Sequence, residues 1–88
     1  MSTILAIDTS TSQTSVALVK DGKVLFNKTH NDALAHGEVL PKLVAQALEI
    51  NRGIDLVAVG MGPGPFTGLR VGIAFAQSFA LAADIKWV

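Results

Sequence analysis

The sequence predicts an α/β domain with a mixed β-sheet and helices packed on it, and three observations favour this class. Several short runs of consecutive apolar residues are typical of strands covered on both faces. Two longer segments repeat apolar residues at helical spacing. An Asp-Gly pair between the second and third strand-like runs indicates a tight hairpin. Together they give the order β-β-β-α-β-α-β.

Three strands are expected before the first helix. The first covers residues 3–8 and the second covers residues 14–20, and both are apolar without alternation. Asp21-Gly22 supplies the turn, because both positions tolerate positive φ. The third strand, residues 24–26, soon becomes polar and contains lysine, which predicts a short edge strand.

The second half of the chain alternates helices and strands. The first helix is expected to start near Gly37, with Pro41 close to its first turn, and to end at Asn51 and Gly53. A buried strand follows at residues 55–60, then a glycine-proline loop at 61–68. A second helix at residues 69–83 and a last strand from Ile85 complete the predicted fold.

The composition indicates that some apolar surface meets another domain or subunit. Half of the 88 residues are apolar, only 16% are charged, and the mean hydropathy is +0.48. A small domain has much surface, and this chain has little charge to cover it. The alternative is a tightly packed monomer rich in alanine and glycine.

Charge and cysteine content limit the classes of partner. Seven Lys and Arg balance seven Asp and Glu, so net charge provides no attraction to nucleic acid or to a membrane. The absence of cysteine suits a cytoplasmic protein. No stretch approaches ~20 uninterrupted apolar residues, and the start of the chain lacks a charged leader, so neither a membrane span nor a signal peptide is expected.

The second predicted helix has two apolar stripes and therefore needs two neighbours. The small stripe consists of Gly72, Ala76, Ala80 and Ala83, and the bulky stripe consists of Val71, Phe75, Phe79 and Ala82. The sequence does not decide which of them faces the sheet. The second neighbour is either the first helix of the same chain or another subunit, and we expect another subunit. The candidate interface residues on the two helices are Val39, Leu43, Ala47, Gly72, Phe75, Ala76, Phe79 and Ala80.

Two motifs resemble those of a known family. The first is the strand Ile-Leu-Ala-Ile-Asp-Thr-Ser-Thr at residues 4–11, and the second is Gly-Pro-Gly-Pro-Phe-Thr-Gly-Leu-Arg-Val-Gly-Ile at residues 62–73. Together they resemble the TsaB (YeaZ) family, the dimerisation subunit of the bacterial complex that makes threonylcarbamoyladenosine in tRNA. The resemblance implies a ribonuclease H-like lobe of the actin-like ATPase type. Residues 1–88 would then be a truncated N-terminal lobe, normally followed by a second lobe.

The resemblance also implies a function without chemistry of its own. Members of the family act as non-catalytic scaffolds that bind a catalytic paralogue and an ATPase subunit through a helical surface. We also expect this chain to form a homodimer through its own two helices. With zero net charge, this lobe is not expected to grip tRNA directly.

An enzymatic alternative centres on the end of the first strand and on the loop before the second helix. Asp8, Thr9 and Ser10 lie where kinases of this superfold hold Mg²⁺ and phosphates, and Gly62 and Gly64 belong to a loop that enters a helix N-terminus. An ATP-dependent transferase or a nucleotide sensor would use both segments. The scaffold interpretation is favoured because the turn after Asp8 lacks glycine and because prolines remove two backbone donors from the loop. ATP and Mg²⁺ are expected only in an assembled complex.

The two histidines do not predict a metal site. His30 and His36 are six residues apart, which is not the spacing of a helical ligand pair. No zinc-protease motif and no serine-triad motif is present either. We therefore assign no catalytic or metal-binding residue.

Overall fold

The computed structural model of the chain describes residues 2–9, 13–31, 36–60 and 66–88. Over these residues the order of elements is the predicted β-β-β-α-β-α-β. The elements are β1 (Thr3–Asp8), β2 (Gln13–Lys20), β3 (Lys23–Asn31), α1 (His36–Ile50), β4 (Leu56–Val59), α2 (Phe66–Ala83) and β5 (Lys86–Trp87).

The strands form one mixed sheet in the order β3-β2-β1-β4-β5. β2 is antiparallel to both β1 and β3, whereas β4 is parallel to both β1 and β5. The two parallel pairings require crossovers, and the helices α1 and α2 lie in those connections. The predicted fold class is confirmed.

The hairpin between β2 and β3 has the predicted two-residue turn. Asp21 has a φ of 51° and Gly22 has a φ of 83°, the positive values that a type I′ turn needs at both positions. The turn is also tied to the start of the chain. The Asp21 amide donates to the Ser2 carbonyl over 2.9 Å, and the Ser2 amide donates to Asp21 Oδ1 over 2.9 Å.

β3 is an edge strand, as predicted, but it is not short. It runs for nine residues and pairs with β2 as far as Gln13 opposite Asn31. The expected end near residue 26 is wrong, because backbone pairing with β2 continues along polar side chains that face solvent. The register shifts once: Leu18 lies opposite Phe26 and Val19 lies opposite Val24, so one extra β3 residue forms a bulge.

The C-terminal ends of α1 and α2 both follow local capping rules. α1 ends at Ile50, and the Asn51 side chain accepts the Gly53 amide over 2.8 Å, so the predicted stop is confirmed. At the end of α2, Asp84 adopts a left-handed φ of 56°. The Asp84 amide donates to the Leu81 carbonyl and the Ile85 amide donates to the Ala80 carbonyl, which is a Schellman motif.

Two helix details differ from the sequence expectation. Helix α1 begins at His36, so Pro41 lies in the second turn and not in the first. In the second turn its missing N–H leaves the Gly37 carbonyl without a hydrogen bond from residue 41. The following helical residues Leu43, Val44 and Ala47 pack in the core. α2 begins at Phe66, three residues earlier than the predicted position 69.

Both helices pack on one face of the sheet. α1 contacts β2 and β3, and α2 contacts β1, β4 and β5. Burial alternates along β1, with Leu5 and Ile7 at or below 1% exposure and Ile4 and Ala6 half-buried. Leu5 lies opposite Leu18 and Val57, which are also fully buried, so the core is a single layer between the sheet and the helices.

The other face of the sheet, the open face, is not covered by any described element. Its central side chains are half-buried rather than buried: Ile4, Ala6, Ser15, Ala17, Val19, Leu56 and Ala58. The expectation of strands covered on both faces is therefore wrong for the described part of the chain. Neither helix of the described residues is long and apolar enough to cross a membrane.

Candidate functional site

The small stripe of α2 faces the chain's own sheet. Ala76 is 0% exposed and Ala80 is 2% exposed, and Gly72 is also buried. Side chains this small allow the helix backbone to lie close to the strands. The prediction that Gly72, Ala76 and Ala80 form an interface is therefore wrong, because these residues have no surface left to offer.

The candidate interface residues of α1 divide in the same way. Leu43 is 7% exposed and Ala47 is 0% exposed, and both belong to the core cluster. The prediction that Leu43 and Ala47 form an interface is therefore wrong, because both side chains are buried within the chain. Val39 is half-buried at the margin of that cluster.

The bulky stripe of α2 is partly covered. Phe75 and Phe79 pack against the core while remaining half-buried, and their rings stack with centroids 6.2 Å apart and planes inclined by 17°. α1 also contacts α2, so the first helix of the same chain supplies part of the second neighbour that α2 needs.

A third face of α2 lies opposite its buried stripe, and the sequence had not indicated that its residues belong together. It consists of Ala74, Ser78, Leu81 and Ala82, all exposed, and Leu81 is exposed over 85% of its surface. We call these four residues the outer face of α2. The signal was present, because they recur at spacings of four, seven and eight residues. Arg70 is the only charged residue of the whole helix.

The end of β1 carries the predicted acidic residue. Asp8 is exposed on the open face, beside Gly60 at the end of β4, and the Gly60 amide donates to the Ile7 carbonyl over 2.8 Å. A methyl group built on Gly60 would lie 2.5 Å from the Asp8 Cγ and 2.6 Å from its Oδ2. Gly60, which the sequence analysis did not single out, therefore makes room for the Asp8 carboxylate.

Asp8 borders a concavity of about 360 Å³ on the open face. Its floor crosses the sheet as a row of alanines, since Ala17, Ala6 and Ala58 are register neighbours on β2, β1 and β4. Its described lining residues are Ala6, Ile7, Asp8, Ser15, Ala17, Ala58, Val59 and Gly60. This lining offers a ligand one carboxylate and one hydroxyl group.

Thr9 does not share this concavity with Asp8. It is 1% exposed and lies against Gly72, beneath α2. The side chains of Asp8 and Thr9 lie on opposite faces of the sheet, so they are not placed to contact one phosphate together, as the sequence suggested. The other candidate ligand residues, Ser10, Gly62 and Gly64, lie outside the described residues.

Of the two histidines, only His30 has a side chain that the structure describes. His30 is exposed on the edge strand β3, and His36 is the first residue of α1, with its side chain outside the described part. Within the described ranges, no group of three His, Cys, Asp or Glu side chains is placed to hold a metal ion.

A mixed sheet in this order, with two helices packed on one face, defines a lobe of the actin-like ATPase type. The family model described as TsaD, tRNA N6-adenosine threonylcarbamoyltransferase, matches residues 23–88. The solved structure of YeaZ from Pseudomonas aeruginosa superposes on the whole chain with a TM-score of 0.91, at 35% identity and over 43% of that protein. The chain belongs to the TsaB (YeaZ) family.

Two named relatives give the degree of similarity. The tRNA threonylcarbamoyladenosine biosynthesis protein TsaB of Haemophilus influenzae is 43% identical over 94% of this chain and 36% of its own length. The TsaB of Escherichia coli is 38% identical over 97% of this chain and 38% of its own length. The chain therefore spans less than half the length of these relatives.

Proposed function

We propose that this chain is a non-catalytic docking lobe in the synthesis of threonylcarbamoyladenosine in tRNA. It binds the catalytic paralogue of its family and an ATPase subunit, and it pairs with a second copy of itself when the paralogue is absent. The names of its TsaB relatives support the pathway. The surface of α2 supports the mode of action.

The observation that carries the proposal is the outer face of α2. Leu81 is 85% exposed there, and its neighbours Ala74 and Ala82 are small and apolar. Burying one leucine side chain contributes about 1.5–3 kcal/mol, and small neighbours allow a second helix to approach closely. Half-buried Phe75 and Phe79 have further apolar surface to bury in such a contact.

The concavity on the open face supports the non-catalytic part of the proposal. Among the described lining residues, Asp8 is the only one with an ionisable side chain, so these residues provide no second group for general acid–base catalysis. The remaining lining side chains are alanines, glycine, two branched aliphatic residues and one serine.

A second candidate function is nucleotide binding, and the position of Asp8 favours it. An exposed carboxylate at the rim of an open concavity is suited to hold a hydrated Mg²⁺ ion that carries phosphates. Calorimetric titration with Mg-ATP in the absence of partners separates the two candidates. Tight binding accompanied by hydrolysis would overturn the docking proposal.

The docking proposal is tested by Leu81→Glu. A charge at the centre of the outer face should raise the dissociation constant for the catalytic paralogue at least about tenfold, because the carboxylate would lose its hydration in the contact. Val24→Glu is the matched control, since Val24 is 58% exposed on the edge strand β3 and away from α2. Equal dissociation constants for both variants and the unmodified chain would place the interface elsewhere.

A further inference from the structure

The end of β1 is held between two glycines on different elements. The Asp8 carboxylate lies over the Cα of Gly60 at the end of β4, on the open face. The Thr9 side chain lies against the Cα of Gly72 in α2, on the opposite face. At both positions a Cβ atom would lie less than 3.0 Å from the facing side chain, so a larger residue would force a shift. Buried Thr9 has little room to move, whereas Asp8 is exposed.

We infer that Thr9 and Gly72 are a positioning pair that sets where α2 lies on the sheet. The claim that this position controls partner binding rests on the proposed function above. The contact between Thr9 and Gly72 does not depend on the proposed function, because both residues belong to this chain. Gly60 makes room for the Asp8 carboxylate on the open face, so two consecutive residues at the end of β1 each face a glycine.

The contact between Thr9 and Gly72 leaves no room for a larger side chain at position 72, because Thr9 is buried. Thr9 is 1% exposed. A methyl group on Gly72 would lie nearest to Thr9 Oγ1, and its distances to Thr9 Cβ and Cγ2 would be 3.6 and 3.8 Å. Any relief must therefore come from moving the hydroxyl or from lifting α2. Ala76 and Ala80 follow Gly72 at intervals of four and eight residues in the same buried stripe.

Lifting α2 at Gly72 would move the outer face with it. Leu81 and Ala74 belong to the same rigid helix, so their position relative to α1 depends on how closely the buried stripe approaches the strands. Gly53 provides a contrast, because a methyl group there would meet only the end of the flexible Asn51 side chain at 3.3 Å.

The test is a rescue experiment. Gly72→Ala should weaken binding of the catalytic paralogue at least about fivefold, as overpacking between elements does. Adding Thr9→Ala removes the facing Oγ1 and should return the dissociation constant to within about twofold of the value for Thr9→Ala alone. Adding Thr9→Val instead should not rescue, since valine also lacks the hydroxyl but keeps a methyl group at the same place.

Amide hydrogen exchange provides the readout that is independent of any partner. We expect Gly72→Ala to speed exchange in α2 while α1 exchanges at its original rate, with recovery on Thr9→Ala and not on Thr9→Val. Equal acceleration in both helices, no acceleration, or equal rescue by alanine and valine would overturn the inference. If the unmodified chain binds no partner, the proposed function fails, and the exchange pattern still decides the positioning role.

Discussion

At the scale of single residues, Asp8 and Thr9 show how adjacent positions take different roles. In sequence they belong to one polar turn that suggests phosphate binding. In the structure, Asp8 is exposed on the open face while Thr9 is buried beneath α2. Strand alternation separates them, so neither residue can be interpreted from the composition of the turn alone.

Asp8→Ala is expected to leave partner binding within about twofold of its original strength, because Asp8 lies on the open face and the proposed docking surface lies on the helices. Binding is measured by calorimetry with the catalytic paralogue, and folding by circular dichroism. A variant that folds normally but abolishes an ATPase activity measured on the unmodified chain alone would show that Asp8 is catalytic.

Asp55 closes the parallel pairing of β1 and β4. Its Oδ2 accepts the Thr3 amide and its own amide donates to the Thr3 carbonyl, both over 2.8 Å. Asp55→Ala leaves the amide of buried Thr3 unpaired and should cost about 1–3 kcal/mol in the free energy of unfolding, measured in urea. Asp55→Asn keeps an acceptor oxygen and should cost less. Equal losses for the two variants would contradict the role assigned to this oxygen.

At the scale of elements, α2 is the part for which sequence and structure differ most. A helical wheel gives the spacing of its stripes but not their direction, so the small and bulky stripes were equally able to face the sheet. The structure places the small stripe inward, with Ala76 at 0% exposure. The outer face of α2, which includes Leu81, is then the face to which a partner has access.

Two substitutions to glutamate on α2 test this orientation. Ala76→Glu should prevent folding, because it places a carboxylate in the core without a partner. Ala74→Glu, two residues away on the exposed side, should fold with nearly unchanged stability. Far-ultraviolet circular dichroism and urea unfolding compare the two variants. A folded Ala76→Glu together with an unfolded Ala74→Glu would mean that the helix is oriented the other way.

Local chemistry explains which elements the sequence predicted well. The Asp21-Gly22 turn, the first strand and the stop at Asn51 depend on neighbouring residues alone, and all three are confirmed. The length of β3 depends on its partner strand, which the sequence of β3 does not contain. Gly60 and Gly72 likewise face residues far away in the chain, so no local pattern could assign their contacts with Asp8 and Thr9.

At the scale of the whole molecule, the described residues include two apolar regions that no other described element covers. One is the outer face of α2, and the other is the open face of the sheet, where Ile4, Val19 and Leu56 remain half-buried among the described residues. The low charge content predicted such surface. Sequence alone could not locate it, because location depends on how the helices are oriented on the sheet.

The central claim is that this chain supports tRNA modification by docking and not by chemistry of its own. The most direct measurement is the rate of threonylcarbamoyl transfer to tRNA in a mixture containing the catalytic paralogue, the ATPase subunit and limiting amounts of either Leu81→Glu or Asp8→Ala. We expect Leu81→Glu to lower the rate in proportion to its weaker binding, and Asp8→Ala to sustain the rate of the unmodified chain. Loss of transfer with Asp8→Ala and full transfer with Leu81→Glu would contradict the claim.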